Sequence, residues 1–461
     1  MSPVSLNYGN LLEPRLGSDA GKALDPERLA PGGELETRFQ AALEGVREGR
    51  RSGDLGFLDL PDEQRLARQV QEVADSFGQW FNTLVVVGIG GSSLGGRAIA
   101  EALLDCHWNE ASDEARDHFP RLHFLENADP DSTAALLRQV DLRGTLFNVV
   151  SKSGGTAETM AQYLIIEDRL REELGDEGVR GHLLFTTDPE RGALRRLAAE
   201  REIPALPVPQ NVGGRFSVLS PVGLLPAATT GVDVGALLAG AAEMRSRCLR
   251  DDLRRNPAGL LSVLLHAADS ELGCPVQVFM PYSDRLRALA LWFQQLWGES
   301  LGKAPTVGPT PLAALGAVDQ HSLLQLLMEG PRDKVVVFVR VARRDEPLEL
   351  PASHGEHPEL AYLGGHTLAE LLDTELRATT EALRRRGRPS LTLEVERLDA
   401  RSLGGLFMLL QVTTVMAGAH YGVDPLTQPG VELGKVLTSG LLGREGVDPP
   451  EMAPDDQEWT V

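Results

Sequence analysis

The sequence predicts an α/β protein built as two lobes, each a mainly parallel, doubly wound sheet flanked by helices. Three observations predict it: short β-branched runs end in glycine-rich loops, helical patterns stand between them, and the alternation pauses at the proline-rich stretch 204–210 before it resumes. Continuous apolar runs are what strands covered on both faces require. The expected organisation is an N-terminal arm and helix over 1–48, a first lobe over 49–208, a second lobe with C-terminal helices over 209–442, and an acidic, mobile tail over 443–461.

In chain order, scattered Gly and Pro give way to a helical pattern from Glu34 to Glu48, read as a packing helix, and Glu63 to Phe77 has the same spacing. The first strand, Leu84–Val87, runs into Gly88-Ile89-Gly90-Gly91-Ser92-Ser93, and a helix follows. Strands are expected next at Leu122–Leu125, Leu146–Val150, Leu183–Thr186 and Ala205–Val208. In the second lobe they are expected at Val276–Met280, Val335–Val339 and Leu391–Val395. Asp284 to Leu301 reads as a helix, and Asp319-Gln320-His321-Ser322 as the opening of another. Gly404 to Tyr421 reads as a buried helix short of membrane length, for no run approaches the roughly 18 apolar residues a span needs.

The stretch from Leu146 to Thr159 organises the chemistry. Its apolar run stops at Ser151-Lys152-Ser153-Gly154-Gly155-Thr156, and a helical pattern takes over. Glycine pairs let backbone N–H groups converge, the helix start adds its positive dipole end, and the hydroxyls add neutral donors. Such a loop suits a phosphate. Gly91 N–H and the Ser92 hydroxyl offer similar donors at another strand's carboxyl end, where ligands of open α/β sheets sit. As a dinucleotide fingerprint this second loop fails, since Ser93 occupies the third glycine's place and no acid closes a second strand about 20 residues on. Gly213-Gly214-Arg215 again pairs glycines with a fork of donors.

The formal net charge of −21 argues against nucleic-acid or anionic-membrane partners. An anionic small substrate then needs local positive charge, and lysine occurs only at 22, 152, 303, 334 and 435 in an otherwise arginine-based chain. Cys106, Cys248 and Cys274 share no metal or disulfide spacing, and with no basic leader at the N-terminus a cytoplasmic location is expected. His354-Gly355-Glu356-His357 lacks the helical spacing of a zinc site, and no metal is expected.

Glu299-Ser300-Leu301-Gly302-Lys303, Asp319-Gln320-His321-Ser322 and Gln428-Pro429-Gly430-Val431-Glu432-Leu433-Gly434-Lys435, with the 151–159 and 213–217 loops in the same order, resemble the phosphoglucose isomerase family of the compact bacterial type. The resemblance runs from about residue 50 to about 442. It implies two sugar-isomerase (SIS) lobes, each Rossmann-like, an obligate homodimer and no cofactor. It implies a sugar phosphate over Ser151, Lys152, Ser153, Thr156 and Thr159, with Gly91 and Ser92 at the sugar and Gln428 and Gln295 near the phosphate end. It also implies Glu299 as the base between C2 and C1, Arg215 beside the enediolate, and His321 with Lys435 opening the ring, the histidine lent across the dimer interface. Thr427 stands where the family usually has aspartate.

Chemistry asks for the same residue types. Proton transfer between adjacent carbons needs one carboxylate that reaches both, an enediolate needs a cation that keeps its proton, and ring opening needs a group titrating near neutrality. A non-catalytic SIS sensor of sugar phosphates would keep the 151–159 loop without needing Glu299, His321 and Lys435 together. Amidotransferase-type synthases need an N-terminal cysteine, and the first here is Cys106. A dual glucose/mannose 6-phosphate isomerase differs from a strict one only in pocket shape.

Overall fold

The β-branched runs form strands that are buried along their whole length, as Thr83–Val87, Thr145–Ser151 and Leu183–Thr187 show. The computed structural model describes residues 4–16, 23–77 and 80–452. Its ten strands are β1 (Val4–Asn7), β2 (Thr83–Val87), β3 (Arg121–Leu125), β4 (Thr145–Ser151), β5 (Leu183–Thr187), β6 (Ala205–Pro207), β7 (Val276–Pro281), β8 (Thr310–Ala313), β9 (Lys334–Arg343) and β10 (Ser390–Arg397).

They form two five-stranded sheets, ordered β3-β2-β4-β5-β6 and β1-β10-β9-β7-β8. The first is wholly parallel, with Val85 level with His123 on one side and Phe147 on the other. The chain steps outward from β2 to β3, then back across β2 to β4. That reversal opens a crevice at the carboxyl ends of β2 and β4, the place where open sheets take ligands. In the second sheet β7, β8, β9 and β10 are parallel to one another, and β1 lies antiparallel along β10.

Period-2 geometry sends alternate residues of each sheet to two cores. Leu84, Val86, Leu146 and Val150 join Val335, Val337, Leu391 and Leu393 in one large central cluster. Val85, Val87, Phe147 and Val149 face the helices Ala157–Gly181 and Ala193–Glu200, while Val278, Met280, Val336 and Phe338 face Leu376 and Leu383. The helix Ala400–Tyr421 threads the central cluster. Its backbone touches that of the helix Val234–Cys248, because a Cβ on Gly404 would lie 1.9 Å from the Leu237 carbonyl and one on Gly240 would lie 1.8 Å from that of Arg401. Phe407 packs edge-on against Trp292 at 4.8 Å.

Three expectations need correction. The arm supplies β1 to the far sheet, although Val-Ser-Leu-Asn is too short and polar to read as a strand by itself. A further strand, β8, lies at Thr310–Ala313 despite Pro311; it forms the sheet edge, the position that tolerates proline. The helix Ala400–Tyr421 is long enough and apolar enough to cross a membrane, with 22 residues and a mean hydropathy of 1.5 in its most apolar window, but 94% of that window is buried inside the protein. Asp448 and Pro450 pack over Gly440, and the rest of the tail, 453–461, lies outside the described residues.

Candidate active site

Arg215 is the hub. It sits on the 3-10 turn Gly214–Phe216, is 3% exposed, and spends its guanidinium on five partners. Its Nε donates to Ser300 Oγ at 2.7 Å, and one terminal nitrogen donates to Gln428 Oε1 at 2.6 Å and to the Glu299 carboxylate at 3.3 Å. The other donates to the carbonyls of Thr427, at 2.9 Å, and Pro425. Burial pulls its pKa below the ordinary guanidinium value, with Glu299 opposing. A fork geometry is what allows one side chain to join three segments so far apart in sequence.

Glu299 is half-buried in the last turn of the helix Arg287–Leu301, where Gln295, one turn earlier, donates to its Oε1 at 3.0 Å. The buried Gln295 Oε1 has no protein partner. The Gly90–Ser92 turn closes on this group: Gly90 has φ +60°, and a Cβ there would lie 2.8 Å from Gln295 Nε2. A Cβ on Gly91 would meet Gly214 C at 2.5 Å and Arg215 N at 2.8 Å, so only glycine lets the two loops touch. Ser217 Oγ, 3.3 Å from the Gly91 carbonyl, ties them.

The 151–156 loop leaves β4 beside these loops. Ser151 Oγ accepts from Gly154 N–H at 3.1 Å and lies 3.0 Å from Thr156 Oγ1, and Ser153 Oγ accepts from Gly155 N–H. Thr156 precedes the helix Ala157–Gly181 without a side-chain cap, so the first-turn N–H groups keep their capacity for an anion. Thr159 is buried with an unpartnered hydroxyl. Lys152 Nζ donates to the carbonyls of Gln210, at 2.7 Å, and Val212, at 2.8 Å, which leaves one of its three protons free. Burial lowers its pKa, and Asp188 opposes.

Thus Gly91, Ser92, Arg215, Gln295, Glu299 and Gln428 come together in a single chain, with the 151–156 loop on the same sheet edge. Two predicted residues stand apart. His321 is exposed at the end of the 3-10 turn Val318–His321, without a hydrogen bond to Arg215 or Glu299. Lys435 forms an exposed pair with Glu432 at 2.7 Å on the helix Glu432–Leu441. The motif at 299–303 contains Ser300 and Lys303 but assigns neither a role, and nothing in the sequence points to the Pro425 and Thr427 carbonyls; Lys303 donates to the carbonyls of Glu299, at 2.8 Å, and Thr427. The scarcity of lysine and the place of Lys303 in the 299–303 motif were the signals that could have given it a role. His354 and His357 are exposed, and among the described residues no cluster of three or more His, Cys, Asp or Glu could hold a metal.

Residues 68–448 match the sequence profile described as Phosphoglucose isomerase. A glucose-6-phosphate isomerase of Rubrobacter xylanophilus is 44% identical, with 97% of this chain and 99% of that protein aligned. One from Carboxydothermus hydrogenoformans is 43% identical over 96% of each. A crystal structure described as a hypothetical protein from Thermus thermophilus superposes with a TM-score of 0.82 at 38% identity, covering 95% of this chain and all of that one. Matched over most of its length by the family profile and by relatives of nearly equal extent, the chain belongs to the phosphoglucose isomerase family.

Proposed function

We propose that the protein interconverts glucose 6-phosphate and fructose 6-phosphate by ring opening and proton transfer through a cis-enediolate. The observation that carries this reading is a carboxylate, Glu299, and an amide, Gln428, sharing the buried Arg215 guanidinium beside the Gly90–Ser92 turn. The phosphate lies over Ser151, Lys152, Ser153, Thr156 and Thr159. There the helix start and the convergent N–H groups balance its charge while the rest of the surface repels it. Glu299 takes the proton from C2 and returns it to C1, and the half-buried setting keeps water from competing for it. Arg215 faces the enediolate oxygens; its five existing bonds hold it in place before charge develops, which is the condition for electrostatic stabilisation without reorganisation. The reaction shifts a proton within one carbon skeleton, so electrons balance without a redox partner.

Ring opening falls to Lys435 and to His321 of the partner subunit, and the working form is a homodimer. Two features favour that assembly: His321 is exposed in the single chain, and the helix that bears Lys435 presents Leu433, Val436 and Leu441 to solvent at 69%, 55% and 58% exposure. A contiguous apolar face of this kind marks an association surface. We place the enzyme in the cytoplasm, in keeping with three unpaired thiols. A coupled assay on fructose 6-phosphate and, in parallel, mannose 6-phosphate, with neither metal nor nucleotide added, tests the reading. Turnover of the first supports it. Binding without turnover would instead identify a sugar-phosphate sensor.

A further inference from the structure

The helix that presents Glu299 ends at Leu301, and the chain then meets the 424–428 strap that presents Gln428. Lys303 bridges them. Its Nζ donates to the Glu299 carbonyl at 2.8 Å, one of the last-turn carbonyls that a helix leaves unsatisfied, and to the Thr427 carbonyl across 124 residues of sequence. The same Thr427 carbonyl accepts from Arg215 at 2.9 Å, and Arg215 returns to the Glu299 carboxylate at 3.3 Å. The result is a closed ring: Lys303, Thr427 carbonyl, Arg215, Glu299, and back along the helix backbone to Lys303. On the far side, Pro425 packs against Gly418, where a Cβ would come within 3.0 Å of the proline ring, so the strap is pinned at both ends.

We propose that Lys303 is a positioning residue: it locks the 424–428 strap to the end of the Glu299 helix and thereby fixes the Arg215 guanidinium between Glu299 and Gln428. It touches no atom of the reaction. The inference rests on the isomerase reading and names a further residue for it.

The residue type fits the task. A compact ammonium with three rotatable donors can serve two carbonyls at once, and a helix C-terminus favours a cation. Partial burial lowers the Lys303 pKa, with Arg215 reinforcing and Asp424 and Glu299 opposing. Lysine at this place is not explained by composition, since the chain uses arginine for all but five of its Lys and Arg side chains. Without the ammonium, Thr427 keeps Arg215 as its partner but loses its tie to the Glu299 helix, and the strap then pulls on the guanidinium against its bonds to Ser300 Oγ and Glu299. A displacement of about 1 Å at a catalytic group is enough to cost on the order of 100-fold.

The test uses full-length Lys303→Met, which keeps the stem and removes the charge, and Lys303→Arg. The expected result is a kcat lowered about 10-fold or more in Lys303→Met, with KM for fructose 6-phosphate within about 3-fold of wild type, and a substantial recovery of kcat in Lys303→Arg. Gln428→Ala should also lose less activity in the Lys303→Met background than in wild type, because the two residues act on one guanidinium. Wild-type kcat in Lys303→Met, with only a lowered melting temperature, would overturn the proposal and leave Lys303 as a structural staple. A raised KM at constant kcat would overturn it in favour of a substrate contact. A wild-type protein without isomerase activity would instead sink the functional reading itself, and the role of Lys303 with it.

Discussion

Acid should destabilise this protein through His420. The residue sits in the last turn of the helix Ala400–Tyr421, its Nε2 3.1 Å from Ser262 Oγ and its ring 5.7 Å from that of His266. Burial, with His266 and Arg38 nearby, pushes its pKa from 6.5 down to about 3. His266 shifts the same way, also by burial, and the neighbouring Tyr421 hydroxyl donates to Asp269 at 2.7 Å. A histidine whose pKa is depressed on folding binds more protons in the unfolded chain, so stability falls as pH drops below about 6.5 and continues to fall until about pH 3. Between pH 7 and pH 5 the linkage amounts to about 2 kcal/mol for His420 alone. Urea unfolding followed by tryptophan fluorescence at both pH values, at fixed protein concentration, measures it. His420→Gln, which keeps a donor or acceptor for Ser262 but cannot titrate, should lose about that much of the difference. An unchanged pH dependence in the variant would refute the assignment.

Three other outcomes follow from close contacts and charge. Gly91→Ala must separate the 90–92 and 214–215 backbones and should lower kcat/KM by about 10- to 100-fold with a modest loss of stability; wild-type kinetics would show that the loops need not touch. Gly404→Ala forces a Cβ into the Leu237 carbonyl and should cost about 3 kcal/mol or more, read as a shifted urea midpoint at constant slope. Lys152→Ala removes the ammonium that ties the phosphate loop to Gln210 and Val212, and KM for fructose 6-phosphate should rise about 10-fold; an unchanged KM would remove Lys152 from the binding site.

The parts of the fold legible in the sequence were those fixed by local pattern. Runs such as Leu84–Val87 and Val335–Val339 are apolar because both faces are covered, and the glycine loops that end β2 and β4 mark the edge where the Arg215 group gathers. What escaped depends on distant partners. Val4–Asn7 is a strand only because β10, nearly 390 residues on, offers an edge, and Thr310–Ala313 only because β7 does. The site divides the same way. Arg215, Glu299 and Gln428 were singled out by motif and the fold brings them within hydrogen-bond reach of one another, whereas the bonds of Ser300, the Thr427 carbonyl and Lys303 to the same group depend on geometry that no spacing encodes. Lys435 is found paired with Glu432, the ordinary surface arrangement its spacing also allowed.

The most direct measurement of the central claim is proton exchange at C2 of glucose 6-phosphate in deuterated water, followed by NMR with wild type and Glu299→Gln. Wild type should place solvent deuterium at C2 and the variant none, while sugar-phosphate affinity stays within about 3-fold. Near-normal exchange or turnover in Glu299→Gln would contradict it, because some other group would then be carrying the proton.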